Sequence, residues 1–357
     1  MRVDDSIMKK LLRILLKTFT VILISILSIV ALFFLVRFIG QQVNKITPEG
    51  GINESMYVEI NGTQQWISIY GQDKNNPVLL YLHGGPGSSS SAYDYAFTRQ
   101  WADEYTVVTW DQRNCGKSYS EDQNDTELTY DLMMSDGVEI TNYLRDYLGK
   151  EKITLLGHSW GTYLGSNLVL EYPELYECYI GVGQLVDMDL NEEAFREVAM
   201  TWVGNDTDGL ALIDQLTIGD YSQDYYAARN QLMQMYGYDM FADETDYNML
   251  AAEYFNPYYS LADFWNVLNS DWSVYEEFLN SDEFDRFSLI DETEYQVPVF
   301  YILGDRDYQT NYLIAQDYFA TIDAPYQDIF IMEDTRHGLL ETKSDEFSEI
   351  LHRIAQL

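Results

Sequence analysis

Cysteine is scarce in this chain, with only Cys115 and Cys178 in 357 residues. Two cysteines build no disulfide framework, and their spacing fits no metal site. Cys115 is read as following the end of one strand and Cys178 as beginning another, at opposite ends of a sheet, so both are expected to be free thiols. Basic residues are also few: 21 Lys and Arg stand against 58 Asp and Glu, a net charge of -37. Phosphate backbones and anionic lipid surfaces are repelled by such a field, which excludes nucleic acid as a partner of the folded part. Histidine occurs four times, so any histidine-dependent chemistry has few candidates. Hydrophobic residues at 46%, with 15% aromatics, supply enough apolar material for a packed interior and argue against disorder.

One long hydrophobic run is present. Thr18 to Val36 carries no charge and as a helix spans roughly 28 Å, close to the thickness of a bilayer's hydrocarbon core. No small-residue cleavage site follows in Arg37-Phe38-Ile39-Gly40-Gln41, so an uncleaved transmembrane anchor is expected in place of a signal peptide. Arg2, Lys9, Lys10, Arg13 and Lys17 precede the run and only Arg37 and Lys45 follow closely. The positive-inside rule then places the N-terminus in the cytoplasm and the rest of the chain outside the cell membrane.

Residues 1–40 are thus read as cytoplasmic tail and anchor, and 41–55, with Pro48, Gly50 and Gly51, as a linker. A chain starting near Gly50 is expected to fold without the anchor. Met56–Ile60 and Gln64–Tyr70 flank Asn61-Gly62-Thr63 as a hairpin, followed by strand candidates at 77–82, 106–110, 153–157 and 178–182. Helical spacing over Leu128–Leu148 ends at Gly149, and a helix over Thr162–Glu171 is stopped by Pro173. This alternation predicts an α/β fold with a mostly parallel, doubly wound sheet. Residues 187–291 turn dense in Tyr, Trp, Asp and Glu with helical patterns such as Glu192–Val203 and Tyr225–Met235, an inserted helical cap. Strand patterns return at 297–303 and 329–332, and an amphipathic helix at Phe347–Ile354 closes the chain. The core is therefore expected in two parts, 56–186 and 292–357.

Gly157-His158-Ser159-Trp160-Gly161 lies between a predicted strand and a predicted helix. That is the setting of a nucleophile elbow, in which a strained serine presents its hydroxyl above the sheet near a helix N-terminus. His83-Gly84-Gly85-Pro86-Gly87 follows the strand at 77–82, where backbone N–H groups can stabilise an oxyanion; Gly85 and Trp160 are the expected donors. A serine needs a base, and histidine is the usual one because its pKa lies near neutrality. His83 belongs to the glycine loop and His158 to the elbow. His352 sits in the last helix, which leaves His337, in a loop directly after the strand at 329–332. The orienting carboxylate should follow the strand at 297–303, where both Asp305 and Asp307 qualify.

The HGGPG loop, the segment Trp110-Asp111-Gln112-Arg113-Asn114-Cys115-Gly116-Lys117-Ser118, the GHSWG elbow and the G-x-x-D of Gly304 to Asp307 together resemble the proline iminopeptidase family of α/β hydrolases. The likeness covers roughly residues 56–185 and 291–357. It implies an α/β-hydrolase fold with a helical cap, a serine peptidase or related hydrolase activity, and no metal or organic cofactor. It also selects Asp307 over Asp305, since the family's acid stands three positions after the glycine. Two positions depart from the pattern. Asn114 stands where a glycine is usual, and Tyr308 where some members carry a Glu that binds the substrate's free amine.

The resulting expectation is a membrane-anchored aminopeptidase that releases N-terminal residues from short peptides through an acyl-enzyme on Ser159. An esterase, amidase or lactonase on a small acyl substrate uses the same machinery, and a catalytically silent surface receptor is the reading from another class. Glu192, Glu193 and Glu197 on the first cap helix, with Tyr308, are the candidates for holding a substrate amine.

Overall fold

The computed structural model describes residues 5–123, 126–241, 245–271 and 273–357; Arg2 of the basic flank lies outside them. The elements run in chain order α1 (Asp5–Asn44), β1 (Ile52–Ile60), β2 (Thr63–Gly71), β3 (Val78–Leu82), α2 (Tyr95–Thr98), β4 (Thr106–Asp111), α3 (Tyr130–Leu148), β5 (Ile153–His158), α4 (Trp160–Glu171) and β6 (Tyr176–Val182). Seven helices follow: α5 (Met188–Val203), α6 (Thr207–Ile213), α7 (Gln223–Tyr236), α8 (Met249–Phe255), α9 (Leu261–Leu268), α10 (Ser273–Leu279) and α11 (Asp282–Asp285). The chain ends with β7 (Val299–Gly304), α12 (Tyr312–Phe319), β8 (Gln327–Met332), α13 (Leu339–Thr342) and α14 (Ser344–Ile354).

The eight strands form one sheet in the order β1-β2-β4-β3-β5-β6-β7-β8. β2 is antiparallel to both its neighbours, while every pairing from β4 to β8 is parallel. β3, β4, β5 and β7 are buried along their whole length, so their near-continuous Val, Ile and Leu runs are what a sheet covered on both faces requires. α3, α4 and α12 contribute to the core on one face, and α14 with Phe97 and Trp101 to the core on the other. Cys115 and Cys178 are free, buried and assigned to these separate cores.

Local chemistry sets the ends of these elements. Thr129 caps α3 by accepting from the Leu132 N–H, and Gly149 ends it at φ 66°, a left-handed conformation that glycine adopts without strain. Asn114, in the position where a glycine is usual, has φ 53°. Asparagine is among the few side chains that tolerate that region, so the substitution preserves the turn.

The helices of residues 188–285 are joined to the sheet at a narrow base. Met188 N–H donates to Phe287 O at 3.1 Å and Leu289 N–H to Val186 O at 2.8 Å, bringing the entry and exit of the insertion together.

The segment read as a linker is not one. α1 continues to Asn44 and β1 begins at Ile52, which leaves only a short turn between them. The helix persists because its polar side chains find partners on α8 and the turn after it. Arg37 guanidinium donates to the carbonyls of Tyr254 and Tyr259, and Gln41 Nε2 to those of Asn256 (2.8 Å) and Tyr259 (2.9 Å). Asn44 Nδ2 donates to Phe255 O at 3.0 Å. Gly40 passes so close to the Phe255 ring that a Cβ there would overlap it. Among the described residues, α1 is the one helix long and apolar enough to cross a membrane, and its apolar side chains lie exposed.

Candidate active site

Ser159 occupies the turn between β5 and α4 at φ 54°, ψ -121°, a backbone conformation that costs energy for any residue with a Cβ. The turn is possible because its neighbours are glycines. A Cβ on Gly157 would strike the Gly161 carbonyl, and one on Gly161 the Leu82 carbonyl. Ser159 N–H donates to Val182 O at 2.9 Å, which fixes the turn to the end of β6. Trp160 is the first residue of α4, so its own N–H has no acceptor within the helix. The glycine loop lies alongside: a Cβ on Gly84 would come within 3.2 Å of Ser159 Cβ, and Gly85, at φ 131°, lines the same cavity as Ser159 and Trp160.

His337 and Asp307 meet across the ends of β7 and β8. His337 Nδ1 and Asp307 Oδ2 are 2.8 Å apart, and both side chains are 1% exposed. Asp307 accepts three more hydrogen bonds, from the N–H groups of Gln309 (2.9 Å) and Thr310 (3.1 Å) and from the Thr310 hydroxyl (3.1 Å). Such a set fixes the carboxylate in place. The other ring nitrogen, His337 Nε2, is buried without a hydrogen-bond partner. A Cβ on Gly183, the residue after Val182, would lie 3.3 Å from His337 Cε1, so the imidazole and the Ser159 turn share the end of β6 as a neighbour. Asp305 serves another purpose, accepting from Thr335 N–H at 3.2 Å.

The remaining histidines are occupied elsewhere. His83 accepts from Gln112 N–H through Nε2 at 3.3 Å and donates to Gly84 O through Nδ1 at 2.6 Å, and burial lowers its pKa to about 4. His158, lowered to about 3 chiefly by burial, donates through Nε2 to the His337 carbonyl at 3.1 Å. His352 is half-buried on α14.

Ser159 opens onto a cavity of about 630 Å³ between the sheet and the α5–α11 insertion. Its wall is largely apolar, with Leu185, Met188, Tyr226, Met240, Leu279 and Phe284, interrupted by Asn191, Glu192, Asn230, Glu276 and Gln309. Of the four residues expected to hold an amine, only Glu192 lines it. Glu193 and Glu197 are exposed on the outer face of α5, because the helix turns them away from its buried positions 192, 195 and 199. Tyr308 packs its ring against Trp202 and Tyr238, 5.1 and 5.2 Å between centroids, and is absent from the cavity wall.

Glu192 itself is already paired. Its Oε2 accepts from Arg229 Nε (2.7 Å) and the Tyr225 hydroxyl (2.8 Å), with both charged side chains buried. Arg229 continues to Tyr308 O (2.8 Å), Gln309 O (3.0 Å) and Gln309 Oε1 (2.9 Å), joining α5 and α7 to the loop that carries Asp307. Glu276, on α10, was not singled out by sequence; it is a half-buried carboxylate in the cavity wall, and among the described residues no cation pairs with it. Among the described residues no cluster of three or more His, Cys, Asp or Glu is placed to hold a metal ion.

Comparison with known proteins agrees with this fold. The sequence model of the α/β hydrolase fold family matches residues 77–307. The chain is 34% identical over 142 residues to a probable aminopeptidase, YbaC, of Bacillus subtilis (strain 168), covering 40% of this chain and 45% of that protein. It is 30% identical over 184 residues to a proline iminopeptidase of Clostridioides difficile (strain 630), covering 50% and 60%. The chain thus spans about half the length of the curated relatives it matches. Among solved structures, the proline iminopeptidase of Mycobacterium smegmatis superposes with a TM-score of 0.60 at 20% identity, over 85% of this chain and 98% of that one, a likeness of fold. With its parallel sheet, its serine turn after β5 and a family match over most of its length, the chain belongs to the α/β-hydrolase fold family and is proline iminopeptidase-like.

Proposed function

We propose that the protein is a membrane-anchored serine hydrolase that removes N-terminal residues from short peptides, with Ser159 as nucleophile, His337 as base and Asp307 as its orienting acid. The observation that carries this reading is the state of His337. One ring nitrogen is held by a buried carboxylate and the other is buried and unbonded, on an imidazole that shares the end of β6 with the strained Ser159 turn.

In that reading Ser159 Oγ attacks the scissile carbonyl as its proton passes to His337 Nε2. Asp307 stabilises the imidazolium formed. Negative charge on the carbonyl oxygen is met by the N–H groups of Gly85 and Trp160, fixed in position before reaction. The bond to the leaving amine breaks as His337 returns the proton to it. Water then enters by the same route, giving a proton to His337 as it attacks the acyl carbon, and His337 returns that proton to Ser159 Oγ as the acid leaves.

Glu276 supports the exopeptidase reading. A peptide's free N-terminus, with a pKa near 8, is largely protonated at neutral pH and would find in Glu276 an unpaired carboxylate inside a cavity of bounded size. Glu192 contributes less, since Arg229 already neutralises it. The largely apolar wall favours a hydrophobic first side chain and equally favours the alternative substrate class, a small acyl ester or amide.

Five basic residues before the apolar run, against Arg37 and Lys45 after it, support a cytoplasmic N-terminus and an extracytoplasmic enzyme. Arg37 is moreover consumed by its bonds to Tyr254 and Tyr259.

A fluorophosphonate should label the wild-type chain and leave Ser159→Ala unlabelled at an unchanged melting temperature. Aminoacyl-naphthylamides should then be cleaved faster than their N-acetylated counterparts. Labelling of Ser159→Ala would move the nucleophile elsewhere, and faster cleavage of acetylated substrates would leave the esterase or amidase reading.

A further inference from the structure

Leu261, Trp265 and Leu268 stand at positions i, i+4 and i+7 of α9, on one helical face, and are 47%, 68% and 80% exposed. Leu250, on α8, is 77% exposed. No residue of α9 is buried. Isolated exposed leucines are ordinary, but four large apolar side chains on two adjacent helices call for a partner.

Their position relative to α1 says which partner. α8 carries Tyr254, one turn after Leu250, and its hydroxyl donates to the carbonyl of Phe33, with the two rings 4.7 Å apart. Phe33 lies in the last turn of the uncharged run that ends at Val36. α9 carries Phe264, next to Trp265, and the Phe264 ring lies 5.5 Å from the guanidinium carbon of Arg37, the first charge after that run. The two helices that bear the exposed stripe therefore touch α1 at the level where its uncharged run ends. If α1 spans a bilayer, that level is the membrane–water boundary, where Trp and Tyr are favoured because one end of the ring is apolar and the other wet.

We infer that α8 and α9 form a second membrane contact, with Leu250, Leu261, Trp265 and Leu268 inserted into the interfacial layer of the bilayer that α1 spans. The inference rests on the proposed anchoring by α1. On α9 charge does not oppose it: Asp263, its acidic side chain, is paired with Lys117 at 3.1 Å. The contact needs no anionic lipid, as suits a chain of net charge -37. It works as amphipathic interfacial helices do, by apolar burial at the boundary between headgroups and acyl chains.

The test uses the full chain in phosphatidylcholine nanodiscs. Cys115 and Cys178 are buried, so a bimane attached at Leu27→Cys, Leu250→Cys, Leu268→Cys or Glu197→Cys reports a single site. Glu197 is exposed on α5, whose main packing partners are α6, α7, α11 and α12. Brominated acyl chains should quench the labels at 27, 250 and 268 at least threefold more than the label at 197. Quenching at 27 with positions 250 and 268 behaving like 197 would overturn the second contact and leave the anchor standing. No quenching at 27 would remove the anchor and the contact with it. Positions 250 and 268 shielded from aqueous iodide yet unquenched by lipid would overturn the inference in favour of a protein partner or a second copy of the chain.

Discussion

His158 donates from Nε2 to the main-chain carbonyl of His337 at 3.1 Å, and the two rings lie 5.0 Å apart. The residue before the proposed nucleophile thus holds the backbone of the proposed base, so an error in one turn is passed to the other. With its pKa lowered to about 3, His158 is neutral across the physiological range and acts as a fixed donor. Replacing it by Phe keeps a ring and removes the donor, leaving a buried carbonyl unsatisfied at a cost of about 1–3 kcal/mol. His158→Phe should lower both melting temperature and kcat, while the acid limb of the pH–rate profile stays where it is. A shifted acid limb would mean that His158 itself titrates in catalysis.

Asp307→Asn should reduce kcat by as much as ~10⁴-fold, because an amide neither fixes the imidazole tautomer nor stabilises the imidazolium. Asp305→Asn, which perturbs only the bond to Thr335 N–H, should stay within about tenfold of wild type on the same substrate. The opposite ranking would transfer the acid's role to Asp305.

Glu276→Gln should cost at least tenfold in kcat/KM for a substrate with a free amino terminus, or about 1.4 kcal/mol, and little for its N-acetylated twin. Glu193→Gln, outside the cavity, should leave both unchanged. The Glu276 effect should persist in high salt, since a partly buried pair is screened far less than the diffuse field of an acidic surface. Equal losses on the two substrates would assign Glu276 to the structure of the wall.

Burial raises the carboxyl of Asp94 to about 8, with the nearby Asp111 adding to the shift. A carboxyl whose folded pKa exceeds its unfolded value of about 3.9 stabilises the fold fully below that value. It loses the contribution as pH rises through the folded value. Asp94→Asn should therefore melt higher than wild type at pH 9 and show a smaller difference at pH 5, in thermal scans of the full chain. Glu341, raised to about 7 by burial, bends the wild-type curve the same way and remains in the variant.

The buried strands and the serine turn were legible in the sequence because their causes are local. β3, β5 and β6 are short apolar runs, and Gly157 and Gly161 are demanded by contacts within a few residues or with the adjacent strand. The join between α1 and the enzyme was not legible, since Arg37, Gln41 and Asn44 look like solvated linker residues until their acceptors, more than 210 residues away, are known. The expectation that a chain starting near Gly50 folds unaided changes accordingly, because those carbonyls of residues 254–259 would lose their donors. The cavity wall was misjudged for a related reason. Which face of α5 or α10 looks inward is set by packing against distant partners, such as Tyr275 reaching the Arg113 carbonyl, and a cluster of Glu in sequence carries no such phase.

Arg229 gives the binding site a particular thermodynamic character. Its guanidinium joins α5, α7 and the Tyr308–Gln309 loop, while Tyr275 ties α10 to the sheet side and Arg37 ties α8 to α1. A wall whose α5, α7 and α10 are fastened by Arg229 and Tyr275 has little freedom left to lose when a ligand arrives. The entropy of ordering is then borne by the ligand and the displaced water, and not by the protein, so a rigid substrate gains affinity over a flexible one of the same chemistry. For a site of this kind, a conformational constraint built into the ligand is a direct route to tighter binding.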